Sequence, residues 1–190
     1  RKVSNMKKIG FLGLGVMGLP MALNVLKKSG YPVLGFDVAQ ARLDQFAAAG
    51  GETTSDPVDI YKTCDVIMQM LPTHPIIINS IKQAVQYGKP GNIILDLDST
   101  APDIIQELYP EVEAAGMHLL DSPVSGGNPM AIAGTLAIMT GGDKAVFEEV
   151  KPLLECMGHP VYTGGSASGS ITKLVNNMVA GADLSAIAEG

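Results

Sequence analysis

Apolar residues in this chain come in two arrangements. Largely unbroken runs stand at 9–12, 31–37, 65–72, 92–98, 117–124, 135–140 and 160–163, each bounded by glycine, proline or an acid. Runs of that length read as strands covered on both faces. Elsewhere apolar positions recur every three or four residues, at 39–49, 58–63, 76–87, 102–115 and 143–157, the spacing of a helix with one buried stripe, while from about 170 to the end an Ala-rich helix is read that is apolar on more than one face over 174–188. A further short strand is read within 52–57. Residues 125–129, Ser-Gly-Gly-Asn-Pro, read as a turn, and Pro110 predicts a kink in its helix. Strands alternating with helices at these intervals predict an α/β fold, a doubly wound and mainly parallel sheet with helices on both faces. There is no internal repeat and no low-complexity linker.

The first strand ends in Gly13-Leu14-Gly15-Val16-Met17-Gly18, and a helical pattern follows at once. Strand, glycine turn and helix in that order give G-x-G-x-x-G its physical meaning. The first glycine allows the tight turn, the second lets a pyrophosphate approach the backbone, and the third lets helix pack on strand. Unpaired N–H groups at the helix start, with the positive end of its dipole behind them, favour an anion there. This turn predicts a Rossmann-type dinucleotide site. Asp37 lies 19 residues past Gly18, at the end of the second strand. A carboxylate near that offset accepts the adenosine ribose hydroxyls and repels the extra phosphate of NADP, which favours NAD. The plain alternative is a solvated acid at a strand end. Gly13, Asp37, Leu71-Pro72 and Ser99-Thr100 all fall at strand ends, so these signals converge on one edge of the sheet.

Composition narrows the field. With a net charge of −6 over 190 residues and no Lys/Arg cluster, nucleic acid and anionic membrane are excluded as partners. Cys64 and Cys156 are too few for a disulfide framework, so reduced buried thiols and a cytoplasmic location are expected, an organelle matrix remaining open. No run reaches the roughly 18 apolar residues of a membrane span. His74, His118 and His159 are scattered and no metal site is expected; His74 is read as a surface residue. No serine sits in a nucleophile elbow, which argues against hydrolase chemistry. Residues 1–5, ahead of Met6, read as added sequence and are set apart from the fold.

Four motifs in one order carry a resemblance. Gly13 to Asn24, Met70-Leu71-Pro72, Asp121-Ser122-Pro123-Val124-Ser125-Gly126-Gly127, and Gly164, Gly169, Lys173, Asn176 and Asn177 are together similar to the β-hydroxyacid dehydrogenases, the family of 3-hydroxyisobutyrate dehydrogenase and tartronate semialdehyde reductase. The resemblance implies an NAD-dependent oxidation of a small 3-hydroxy acid, or reduction of its semialdehyde. It makes Lys173 the general acid/base, a role that requires burial or a nearby cation to lower its pKa. It makes Ser125, Gly126, Gly127 and Asn177 the substrate holders, and adds Leu71, Pro72 and Thr100 to the cofactor contacts of Gly13 through Gly18 and Asp37; Asn176, off the face that Lys173 and Asn177 share, is read as structural.

Departures from the family pattern are Leu97 at the first position of D-x-S-T, flanked by Asp96 and Asp98; Met130-Ala131 in the substrate loop; and Ala167 in place of a glycine. The resemblance also implies a Rossmann domain over 6–165, and a long interdomain helix beginning at 166–190 that leads to an all-helical second domain. The expectation is that these 190 residues bind NAD, turn over poorly alone, and associate as a homo-oligomer when complete. Lys173 argues against an imine-reductase-like relative, and Asn176 argues against 6-phosphogluconate dehydrogenase, whose matching motif carries histidine. A non-catalytic NAD(P)-binding or scaffold domain is the alternative of a different class.

Overall fold

The computed structural model describes residues 8–189; residues 1–7, including the segment set apart above, and Gly190 lie outside them. The chain runs β1 (Ile9–Leu12), α1 (Gly18–Lys28), β2 (Val33–Phe36), α2 (Gln40–Ala48), β3 (Glu52–Thr53), α3 (Pro57–Thr63), β4 (Val66–Gln69), α4 (His74–Tyr87), β5 (Ile93–Asp96), α5 (Pro102–Ala114) and β6 (His118–Asp121). It continues through β7 (Val124–Ser125), α6 (Gly127–Ala133), β8 (Leu136–Gly141), α7 (Lys144–Leu154), β9 (Gly158–Gly164) and α8 (Ser168–Glu189). The strands form one sheet in the order β3-β2-β1-β4-β5-β6-β8-β7, with β9 also on β8. From β3 to β6 every pairing is parallel, while β8 runs antiparallel to β6 and β7. The mainly parallel α/β class is therefore as read.

Side chains alternate between two cores, because successive residues of a strand point to opposite faces. Ile9, Phe11, Met68 and Leu95 pack toward α1, α2 and α7, whose Met21, Phe46 and Phe147 cover that face. Leu34, Ile67, Ile94 and Leu119 pack toward α3, α4 and α5, whose Tyr61, Ile81 and Ile105 cover the other. Each such side chain contributes about 1.5–3 kcal/mol when fully buried. Cys64 and Cys156 are buried and unbridged.

Two expectations are corrected. The segment 117–124 is not one strand but β6 and β7, interrupted at Ser122-Pro123, where proline lacks the N–H that a ladder needs. The turn read at 125–129 instead leads into the short helix α6. On α8, Ile171, Leu174, Val175 and Met178 are exposed. No helix among the described residues is long and apolar enough to cross a membrane.

The order of pairing positions the site. Strand β1 lies between β2 and β4, so the chain leaves β1 in one direction and returns on its other side. The connections that leave the carboxyl ends of β1 and β4 part at that point, and the crevice outside those ends is where ligands of open α/β sheets sit.

Candidate active site and its cofactor cradle

Gly13 follows β1 at φ +88°, and a side chain there would run into the Met70 carbonyl. Its N–H donates to the Phe36 carbonyl over 2.9 Å, so the turn is wedged between the ends of β2 and β4. Gly18 opens α1, and a Cβ on it would strike the Gly13 carbonyl. Gly15 differs: a Cβ there would meet nothing within 4 Å. The outer glycines thus permit packing, whereas the middle one borders free space. No side chain caps α1 and its first turn holds no acid, so the positive end of its dipole is left to a ligand, although the Leu19 N–H already donates to the Gly15 carbonyl at 3.0 Å.

Asp37 clasps this turn. Its Oδ2 accepts the Leu14 N–H at 2.7 Å and its Oδ1 the Ala39 N–H at 2.8 Å, leaving further lone pairs on both oxygens. A cavity of about 450 Å³ opens beside it, walled by the glycine turn, Phe36, Val38, Leu71, Pro72 and Ile76. Gly13, Gly15, Val16, Met17, Gly18, Asp37, Leu71 and Pro72 all meet here. A volume in the range of small-molecule clefts, an open glycine and an uncapped helix start fit a dinucleotide's sugar and phosphates.

Two of the residues read as cofactor contacts sit differently. Leu14 is fully buried in the core, and its N–H is already engaged by Asp37. Thr100 is 2% exposed with its Oγ1 buried, near Asp96, while neighbouring Ser99 is exposed. The Thr100 hydroxyl therefore faces the interior rather than the cleft. His74 is exposed, does not line the cavity, and so matches its reading as a surface residue.

The second cluster lies further along the same edge. Gly126 and Gly127 take φ of +133° and +68°, a reversal open to glycine, and turn the chain from β7 into α6. Asn128 Nδ2 donates to the Val16 carbonyl at 2.6 Å, joining this loop to the glycine turn, and Asn24 Nδ2 donates to Ala131 and Ile132 carbonyls of α6. Asp121, buried at the end of β6, accepts the Ala167 N–H at 3.0 Å and the Ser170 N–H at 2.7 Å. That carboxylate pins the start of α8 to the sheet; burial raises its pKa, and the two N–H groups offset part of the rise. Ala167, which stands where the family pattern has glycine, is buried at φ +66°. A left-handed non-glycine residue costs about 1–2 kcal/mol, which the Asp121 clamp offsets.

Lys173 lies in the second turn of α8. It is half-buried, and that burial pushes its ammonium below the ordinary lysine range. Asn177, one turn on, is exposed on the same side. Asn176, read as structural, donates from Nδ2 to Ser125 Oγ at 3.2 Å and so joins α8 to the substrate loop. The contact spans 51 residues of sequence, and spacing along α8 carries no sign of it. Among the described residues no group of His, Cys, Asp and Glu could hold a metal ion.

Residues 8–165 match the model of the NAD-binding domain of 6-phosphogluconate dehydrogenase. The chain is 36% identical over 186 residues to a 2-(hydroxymethyl)glutarate dehydrogenase of Eubacterium barkeri, covering 96% of this chain and 62% of that protein. It is 38% identical over 183 residues to the human mitochondrial 3-hydroxyisobutyrate dehydrogenase, covering 94% and 54%. A solved Mycobacterium tuberculosis 3-hydroxyisobutyrate dehydrogenase with L-serine superposes at a TM-score of 0.92 and 34% identity, over 97% of this chain and 64% of the other. The chain thus spans between about half and two thirds of the length of these relatives.

Proposed function

The chain belongs to the β-hydroxyacid dehydrogenase family and carries its NAD-binding domain, and on that premise we propose that it serves an NAD-dependent interconversion of a small 3-hydroxy acid, of the 3-hydroxyisobutyrate kind, and its semialdehyde, with Lys173 as general acid/base. The observation that carries this reading is Lys173 itself. It sits on a helix whose start is clamped to the sheet by Asp121, three residues before Asn176, which donates to Ser125.

When bound, NAD supplies the hydride acceptor. The protein's part is to hold the reactants and to move one proton. Partial burial favours the neutral amine of Lys173, so its Nζ can take the hydroxyl proton as the carbonyl forms, and return it in the reverse direction. The Ser125 hydroxyl and the Gly126 and Gly127 N–H groups are neutral donors suited to the substrate carboxylate, and Asn177 supplies an amide one turn from the lysine. Asp37 offers lone pairs to ribose hydroxyls and would repel a 2′-phosphate, hence NAD before NADP.

The test is turnover of a panel of short 3-hydroxy acids with NAD, at the protein's native length, comparing wild type with Lys173→Ala. A fall in kcat of about 10²–10⁴-fold is expected for loss of a general base. Unchanged turnover in the variant would overturn the role of Lys173, and no turnover of any 3-hydroxy acid by wild type would overturn the substrate class.

A further inference from the structure

Just past the nucleotide cavity the sheet buries two acids that the reaction does not use. Gln69 and Asp96 are register partners on β4 and β5, and Gln69 Nε2 donates to Asp96 Oδ1 at 3.0 Å. Two residues on, Asp98 Oδ1 accepts the Leu71 N–H at 2.8 Å. The two carboxyls are close neighbours, and Oδ2 of each is buried and without a hydrogen-bond partner, with the Thr100 hydroxyl also set against Asp96. Asp96 is fully buried and Asp98 4% exposed.

We propose that Asp98 is a positioning residue of the cofactor site: it shares a single proton with Asp96 and, through the Leu71 N–H, sets the Leu71–Pro72 wall of the nucleotide cavity. The inference rests on that cavity being the NAD cradle.

Electrostatics support the shared proton. Two ionised carboxylates in contact inside a protein would be an uncompensated like-charge pair, whereas one proton between them satisfies both orphaned oxygens. Burial, and then the neighbouring Asp96, push the Asp98 carboxyl up to about 10; burial raises Asp96 as well. The titratable neighbour in register is Asp121, beside Asp96 but engaged with the α8 N–H groups, while His74 and Asp103 open the helices α4 and α5 that follow β4 and β5. Among the described residues no salt bridge reaches the pair.

The Leu71 side chain packs against the core, and the backbone bond nearest to the Leu71-Pro72 turn besides the one to Asp98 is Met70 N–H to the Leu12 carbonyl at 2.9 Å. When the shared proton leaves at high pH, the two charges repel and the Leu71 turn loses its fixed acceptor.

The experiment is fluorescence titration with NADH from pH 7 to pH 10.5 on wild type, Asp98→Asn and Asp98→Ala. In Asp98→Asn the new amide oxygen can still accept the Leu71 N–H while its NH₂ donates to Asp96, and the amide does not ionise. Asp98→Asn should bind within about twofold of wild type at pH 7 and hold that affinity at high pH, while wild type weakens about tenfold. Asp98→Ala should weaken binding about tenfold already at pH 7, the loss of one hydrogen bond to a fixed acceptor. An alkaline loss in Asp98→Asn equal to that of wild type would overturn the proposal, as would wild-type affinity in Asp98→Ala. Should the alanine variant fail to fold, the asparagine profile decides alone. No binding of NADH by wild type would overturn the cradle assignment itself, and the inference with it.

Discussion

The two ends of the functional edge are built by different means. Around Gly13 to Gly18 the structure is made largely by backbone: carbonyls leave no room for a Cβ at Gly13 or Gly18, a Cβ at Gly15 would meet nothing within 4 Å, and Asp37 clasps the Leu14 N–H. Around Ser125 and Lys173 it is made by side chains on an exposed helix, joined by single hydrogen bonds such as Asn176 to Ser125. The first region tolerates almost no change of shape. The second fixes where α8 starts and leaves its surface residues free to vary. A dinucleotide is the same molecule in every relative and suits a rigid cradle; a substrate differs among relatives and suits replaceable side chains.

The comparison breaks most sharply at Gly18. Gly18→Ala drives a methyl group into the Gly13 carbonyl and should destabilise the protein by about 3 kcal/mol in chemical denaturation. An unchanged midpoint would show that the turn is softer than its packing implies.

The buried acids give the next effect. A carboxyl whose folded pKa lies above its unfolded value contributes full stability below the unfolded value, 3.8 here. As pH rises toward about 10 the unfolded chain releases the Asp98 proton while the folded chain retains it, so stability falls across that window. Asp98→Asn removes the loss. Its melting temperature should exceed that of wild type by a margin that grows between pH 5 and pH 9, about 2–4 °C for each kcal/mol at this chain length. A constant margin would contradict the raised carboxyl.

Gly15→Ala separates stability from binding. Its Cβ enters open space in the free protein, so stability should change by no more than about 0.5 kcal/mol, yet NADH affinity should fall about tenfold because that space is where phosphate approaches. Equal losses in both would make Gly15 a packing residue like its neighbours. The smallest effect belongs to the second region: Asn176→Ala removes one exposed hydrogen bond and should shift stability by no more than about 0.5 kcal/mol, leaving NADH binding unaltered. A larger shift would mean that α8 is held by more than its clamp at Asp121.

What was legible in the sequence follows the same division. The sheet and its glycine turn could be read because the backbone forces particular residues: only glycine fits at Gly13, and buried parallel strands must be unbroken apolar runs. Helix α6 escaped because seven residues opened by turn formers show no periodicity, and α8 was visible because it is a long, Ala-rich, mostly apolar run. Which of Ser99 and Thr100 faces inward is decided by tertiary packing at Asp96, and neighbouring hydroxyls look alike in sequence. The bond from Asn176 to Ser125 was hidden for a related reason, since its partner lies on a distant loop. Asp98 was visible as a departure from the family pattern, but its bond to Leu71 was not.

The most direct test of the backbone-built cradle is a paired titration of wild type and Asp37→Ser with NADH and NADPH. Asp37 binds the turn and faces the cavity, so wild type should favour NADH by about tenfold, and the serine variant should lose most of that preference through weaker NADH binding, of the order of 1.5–3 kcal/mol for a hydrogen bond to a charged group. Equal affinity of wild type for both cofactors, or an unaltered preference in the variant, would contradict the assignment.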